Sequence, residues 1–100
     1  MSIMIDRIED GITLISLEGR LDLEGTQAID NQFVFATSTK AKRIIVVLAQ
    51  VTFITSIWIR TLLSGARGQQ NRGGMFVLLN PQKLVRDVLV KTGFQAGIPI

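Results

Sequence analysis

The sequence predicts an α/β domain built on a small mixed sheet of four to five strands with about three helices. Three observations lead there. Two apolar runs, the β-branched "RIIVVLAQV" at 43–51 and "MFVLLN" at 75–80, have the near-continuous character of buried strands. Segments of helical periodicity precede, separate and follow them. Two shorter runs at the N-terminus are joined only by "EDG" at 9–11, which is the chemistry of a tight hairpin.

Taken in order, "IMIDRI" at 3–8 alternates loosely and reads as a strand. "ITLISLEG" from residue 12 sets Ile12, Leu14 and Ser16 against Thr13, Ile15 and Leu17, and reads as the antiparallel return strand. A helix is expected from about residues 24–26 to about Thr39, with Ile29, Phe33 and Ala36 on one face and Val34 and Phe35 partly off it. The run at 43–51 follows, expected to be covered on both faces. The second helix is expected over about 57–71. Trp58 or Ile59, Leu62, Leu63 and Ala66 form its inward stripe, Arg60, Arg67 and Gln70 face out, and "RGG" at 72–74 ends it. After the strand at 75–80, Asn80 is the expected N-cap of a third helix, Pro81 its first residue and Gly93 its stop. Leu84, Val85, Val88 and Leu89 form its expected core stripe, and Lys91 suits the negative end of its dipole. "GIPI" at 97–100 reads as a short edge strand. The order β-β-α-β-α-β-α-β makes the strands flanking each helix parallel neighbours.

Composition bounds the function. One hundred residues at 47% hydrophobic content make one domain, residues 1–100, with a single core. No run reaches the roughly 18 apolar residues of a membrane span, and "MSIMIDRIEDG" lacks a signal-peptide layout, so a cytoplasmic location is expected. Cysteine and histidine are both absent. That removes thiolate chemistry, the usual transition-metal ligands and the commonest general base, so neither a metal, a cofactor nor an enzymatic activity is expected. The net charge is +3, but the basic residues are scattered, and only "KAKR" at 40–43 clusters. Without a basic stripe or interleaved aromatics, a nucleic-acid partner is not expected. Asp22 and Glu24 share a loop with no polar cluster around them, and "RGG" lacks the spacing and lysine of a phosphate loop.

The junction "FITSIWIRTLL" at 53–63 stands out because Thr55 and Ser56 lie between a strand-like and a helix-like run, with Ile57 and Trp58 next. Ser56 has three readings. It caps the helix through its hydroxyl. It acts as a nucleophile, for which no adjacent base is in sight. Or it accepts a phosphate, which would meet unpaired N–H groups and the positive dipole end, and would add up to about two negative charges beside an apolar pair. Trp58 either fills the core or, if exposed, anchors a partner.

"GRLD" at 19–22, "VTFITS" at 51–56 and "LVRDVLVKTGF" at 84–94 together resemble the STAS domain of bacterial anti-sigma factor antagonists. The resemblance spans nearly the whole chain. It implies helices packed mainly on one side of the sheet. It also implies an anti-sigma factor partner, usually a serine kinase with a nucleotide-binding fold, whose capture frees a sigma factor. That kinase phosphorylates a serine in a D-S-[SG]-G loop, the pair separates, and a phosphatase resets it. The acceptor serine falls on Ser56, the preceding Asp on Thr55, which becomes an alternative acceptor, the second small residue on Ile57 and the glycine on Trp58. Val47 stands where many members carry a polar or acidic residue. The partner surface expected on this basis comprises Asp22, Thr55, Ser56, Ile57, Trp58 and Arg60. The loop departures leave an alternative: a STAS module in a transport or sensory complex that binds without switching.

Overall fold

Seven elements make up the computed structural model, which describes residues 2–8, 11–21, 26–37 and 42–92. Strand β1 (Ser2–Ile8) is followed by β2 (Ile12–Leu21), helix α1 (Thr26–Thr37) and β3 (Arg43–Ile54). Then come α2 (Ser56–Asn71), β4 (Met75–Leu79) and α3 (Lys83–Lys91). The strands form one sheet in the order β1-β2-β3-β4. The β1–β2 pair is antiparallel, while β2–β3 and β3–β4 are parallel, as the short hairpin and the long helical crossovers require. Gly11 takes a φ of 74°, the positive value that "EDG" was expected to supply. The expected edge strand at 97–100 and Gly93 lie outside the described residues, as do the side chains of Ile29 and Ala36.

One face of the sheet carries the core. Register aligns Thr13, Ile44 and Phe76 in one row and Ile15, Val46 and Leu78 in the next, and all six are buried. Trp58, Leu62 and Ala66 of α2, Phe33 of α1 and Val85 and Leu89 of α3 complete the same cluster. The helices therefore cover one side. The least extent of the fold, 19 Å, fits a sheet plus a single helical layer at about 10 Å between layers.

This corrects the expectation that β3 is covered on both faces. Ile44, Val46 and Leu48 are buried, but Ile45 and Val47 on the other face are only half-buried. The strand also runs to Ile54 rather than Val51. Register shifts between Ser16 and Glu18 and between Gly19 and Arg20 place the extra residues on β3. Each shift resets the alternation, so the buried positions continue as Val51 and Ile54 despite polar Gln50 and Thr52.

Helix α3 departs from its expected start. Its N-cap is Gln82, in extended geometry, and Arg86 N–H donates to the Gln82 carbonyl at 2.8 Å. Asn80 instead adopts φ 54°, a left-handed conformation that asparagine tolerates, and Pro81 precedes the cap. The Gln82 side chain donates to the Ala49 carbonyl at 3.0 Å and so ties the start of α3 to β3. With this start, Val85 and Leu89 point into the core, Val88 is half-buried and Leu84 is 61% exposed. A stripe that included Leu84 would be wider than the contact with the sheet. Among the described residues, no helix is long and apolar enough to cross a membrane.

Candidate partner-binding site

The junction of β3 and α2 is built from the backbone outward. Thr55 leaves the strand in an extended conformation, φ −94° and ψ 165°, and its carbonyl accepts the Ile59 N–H at 3.0 Å. Thr55 is therefore the N-cap and Ser56 the first helical residue. The reading of Ser56 as cap is corrected by one position. The Thr55 side chain makes no capping bond, and its Oγ1 is buried without a hydrogen-bond partner. Ser56 is exposed, beside the N–H groups of the first turn, which an α-helix leaves without intrahelical acceptors.

The next two residues part company. Ile57 is 47% exposed, whereas Trp58 is wholly buried. The indole meets Phe33 of α1 edge-to-face, with ring centroids 5.9 Å apart and planes at 75°. This corrects the placement of Trp58 on the partner surface. Helical geometry rotates it about 100° from Ile57, onto the side that faces the sheet together with Leu62. Its Nε1 has no hydrogen-bond partner, so the side chain serves as apolar volume. Arg60 is exposed one turn beyond Ser56, on the same side of the helix.

The structure thus brings Ser56, Ile57 and Arg60 to one surface, with the Thr55 hydroxyl beneath it. The described part of β2 ends at this same place, since Leu21 pairs with Ile54 and Arg20 with Phe53. The Arg20 guanidinium lies 4.4 Å from the centre of the Phe53 ring. Asp22 lies outside the described residues.

Sequence reasoning missed the neighbouring groove between α1 and α2, of about 420 Å³, to which Arg60, Ser64, Gly65, Gly68 and Arg72 contribute. A signal was present: two glycines three apart in a helix without an acidic residue. A Cβ at Gly65 would meet Phe33 at 3.4 Å and Phe76 at 3.5 Å, which is ordinary van der Waals contact. Arg72 closes the far end of the groove by donating to the Thr37 carbonyl of α1 and to Gln69 Oε1.

Residues 4–100 match the STAS domain. The chain belongs to the STAS domain family. Its fold is that of the anti-sigma factor antagonist SpoIIAA in its unphosphorylated form. That match has a TM-score of 0.81 at 23% identity and covers 97% of this chain and 85% of that one. The phosphorylated form of the Bacillus protein matches with a TM-score of 0.76 at 22% identity, covering 97% and 88%. An anti-sigma factor antagonist from Mycobacterium paratuberculosis matches with a TM-score of 0.85 at 17% identity, covering 98% and 82%. No curated protein matches significantly. In this STAS domain the junction at 55–58 joins a core tryptophan to an exposed serine within a single helical turn.

Proposed function

We propose that this STAS domain is an anti-sigma factor antagonist that works by partner switching. It binds an anti-sigma factor that is also a serine kinase, and so frees a sigma factor. Phosphorylation of Ser56 ends the complex, and a phosphatase restores it. The setting is the bacterial cytoplasm.

The observation that carries this reading is the opposite placement of the two junction hydroxyls. Ser56 is exposed at the first turn of α2, beside exposed Ile57, while Thr55 Oγ1 is sealed beneath it. A kinase needs an accessible oxygen, so Ser56 is favoured over Thr55. A phosphate there would be held by the first-turn amides and the helix dipole. It would also place up to about two negative charges against Ile57, where an apolar contact with a partner would otherwise form.

The test is a phosphate map of the protein taken from its host. Trypsin releases Ile44 to Arg60 as one peptide carrying Thr52, Thr55 and Ser56, and fragmentation separates the three. Phosphate on Ser56, with loss of the bound partner in a Ser56→Glu variant, is expected. A peptide free of phosphate under every growth condition would overturn the switch, and so would a Ser56→Glu variant that keeps its partner at full affinity.

A further inference from the structure

The groove between α1 and α2 continues across α2. On the far side lies a second hollow of about 440 Å³, and the two share Arg60, Ser64 and Gly68. These three residues recur every four positions and form the outermost ridge of the helix. Two of them are small, so the ridge is low along its middle, and another helix can approach closely there. Hydrophobic surface is present at the margins: Val34 of α1, 52% exposed, on one side and half-buried Leu63 on the other.

The charge on this ridge has one sign. Helix α2, "SIWIRTLLSGARGQQN", contains Arg60 and Arg67 and no acid. Both arginines are exposed and both line the second hollow, with Arg60 shared between the two. Arg72 belongs to the wall of the groove, where its Nη2 donates to the Thr37 carbonyl and to Gln69 Oε1. A low ridge between two hollows, with an apolar margin and two exposed arginines about two turns apart on a helix that contains no acid, matches one kind of occupant. That occupant is an amphipathic helix with small or apolar residues inward and carboxylates flanking them at a two-turn spacing.

We infer that this ridge seats an acidic amphipathic helix of the protein partner, and that a phosphate on Ser56 weakens the contact by pairing with Arg60. The seat rests on surface geometry and charge, while the control by phosphate rests on the partner-switching reading above. Ser56 and Arg60 are four residues apart, so their side chains are helix neighbours. A phosphate and a guanidinium at that spacing form a strong charge-assisted contact. The arginine is then neutralised, and the negative charge stands at the end of the ridge where the partner's carboxylates would arrive.

The experiment is an NMR titration of the full chain with a synthetic 20-residue peptide. The peptide forms an amphipathic helix with Ala and Leu on one face and Glu on the other, and a Lys-for-Glu version is the control. Backbone shifts at Val34, Thr61, Ser64, Gly65 and Gly68 are expected. They should weaken as salt rises and be missing with the Lys peptide. Arg60→Glu combined with Arg67→Glu should weaken binding at least about tenfold, roughly 1.4 kcal/mol. Ser64→Leu, which fills the low ridge without changing charge, should do likewise. Phosphoserine at position 56 should weaken the wild-type contact several-fold and should cost less in Arg60→Gln, where only the repulsion between phosphate and carboxylates remains.

Absence of shifts on the ridge would overturn the inference, as would equal binding of the Lys peptide. Tighter occupation of the same residues by a single-stranded RNA or by anionic vesicles would assign the ridge to another class of partner and overturn it too. A ridge that binds the Glu peptide in a protein whose Ser56 never carries phosphate in its host would leave the seat standing and remove the switch. A phosphorylated Ser56 with an inert ridge would do the reverse.

Discussion

Trp58 and Phe33 meet edge-to-face with centroids 5.9 Å apart, which locks the first turn of α2 to the middle of α1. The residue before Trp58 faces solvent and the residue after it is buried. Two adjacent substitutions should therefore have opposite consequences. Trp58→Ala should cost about 3–5 kcal/mol of folding free energy, as large-to-small core changes do. Ile57→Ala should stay within about 0.5 kcal/mol for stability while weakening capture of the partner. Urea unfolding and pull-down with the bait at fixed concentration separate the two. An Ile57→Ala protein that unfolds early, or that binds unchanged, would contradict this division.

The Thr55 hydroxyl is buried and unpartnered, so removing it should cost little. Thr55→Val keeps the shape and deletes an unsatisfied polar atom. Its midpoint in urea should be unchanged or raised, within about 1 kcal/mol of the parent. Phosphate, if Ser56 is the acceptor, should persist in this variant and vanish in Ser56→Ala. Loss of phosphate in Thr55→Val alone would reassign the acceptor.

The turn after α2 depends on a buried polar contact. Gln69 is wholly buried, its Oε1 accepts from Arg72, and the same guanidinium holds the last carbonyl of α1 at Thr37. Arg72→Ala should cost about 1–3 kcal/mol, by removing the donor that Gln69 Oε1 shares with the Thr37 carbonyl. Gly74→Ala should also destabilise, by about 1–3 kcal/mol, because a Cβ there would clash with the buried side-chain amide of Gln69. Hydrogen exchange should show faster opening at the end of α1 in Arg72→Ala. Unchanged protection there would break the proposed link between the helices.

In α3 the two leucines should behave differently. Leu89→Ala removes a buried side chain and should cost about 2–5 kcal/mol. Leu84→Gln, at an exposed position, should change stability by no more than about 0.5 kcal/mol. Thermal unfolding of both variants checks the start of α3 at Lys83, since a stripe with Leu84 inward beside Leu89 would make both substitutions costly.

Much of this was legible along the chain. The hairpin at Gly11, the parallel pairs β2–β3 and β3–β4, and the inward stripe Leu62–Ala66 follow from periodicity and turn chemistry, which act between near neighbours. Three features were not. Both faces of β3 are apolar, and composition cannot say which one the helices cover. Asn80 and Pro81 resemble a cap, yet Gln82 is drawn into that position by its bond to Ala49, a residue 33 positions away. Ser56 and Thr55 are equivalent hydroxyls on paper, and one peptide's difference in helix phase buries the one and exposes the other.

Local pattern along the chain is enough for the class of fold, the order of its elements and the position of the junction hydroxyls between β3 and α2. These depend on local pattern, and the pattern at each level agrees with the next. The tertiary structure decided what that junction presents. Packing of α2 against Phe33 and the sheet sets its rotation, and that rotation buries Trp58 and the Thr55 hydroxyl while turning Ser56, Ile57 and Arg60 outward. A helix turns about 100° per residue, so inside and outside alternate faster than composition can report. Contact with the rest of the core chooses between them.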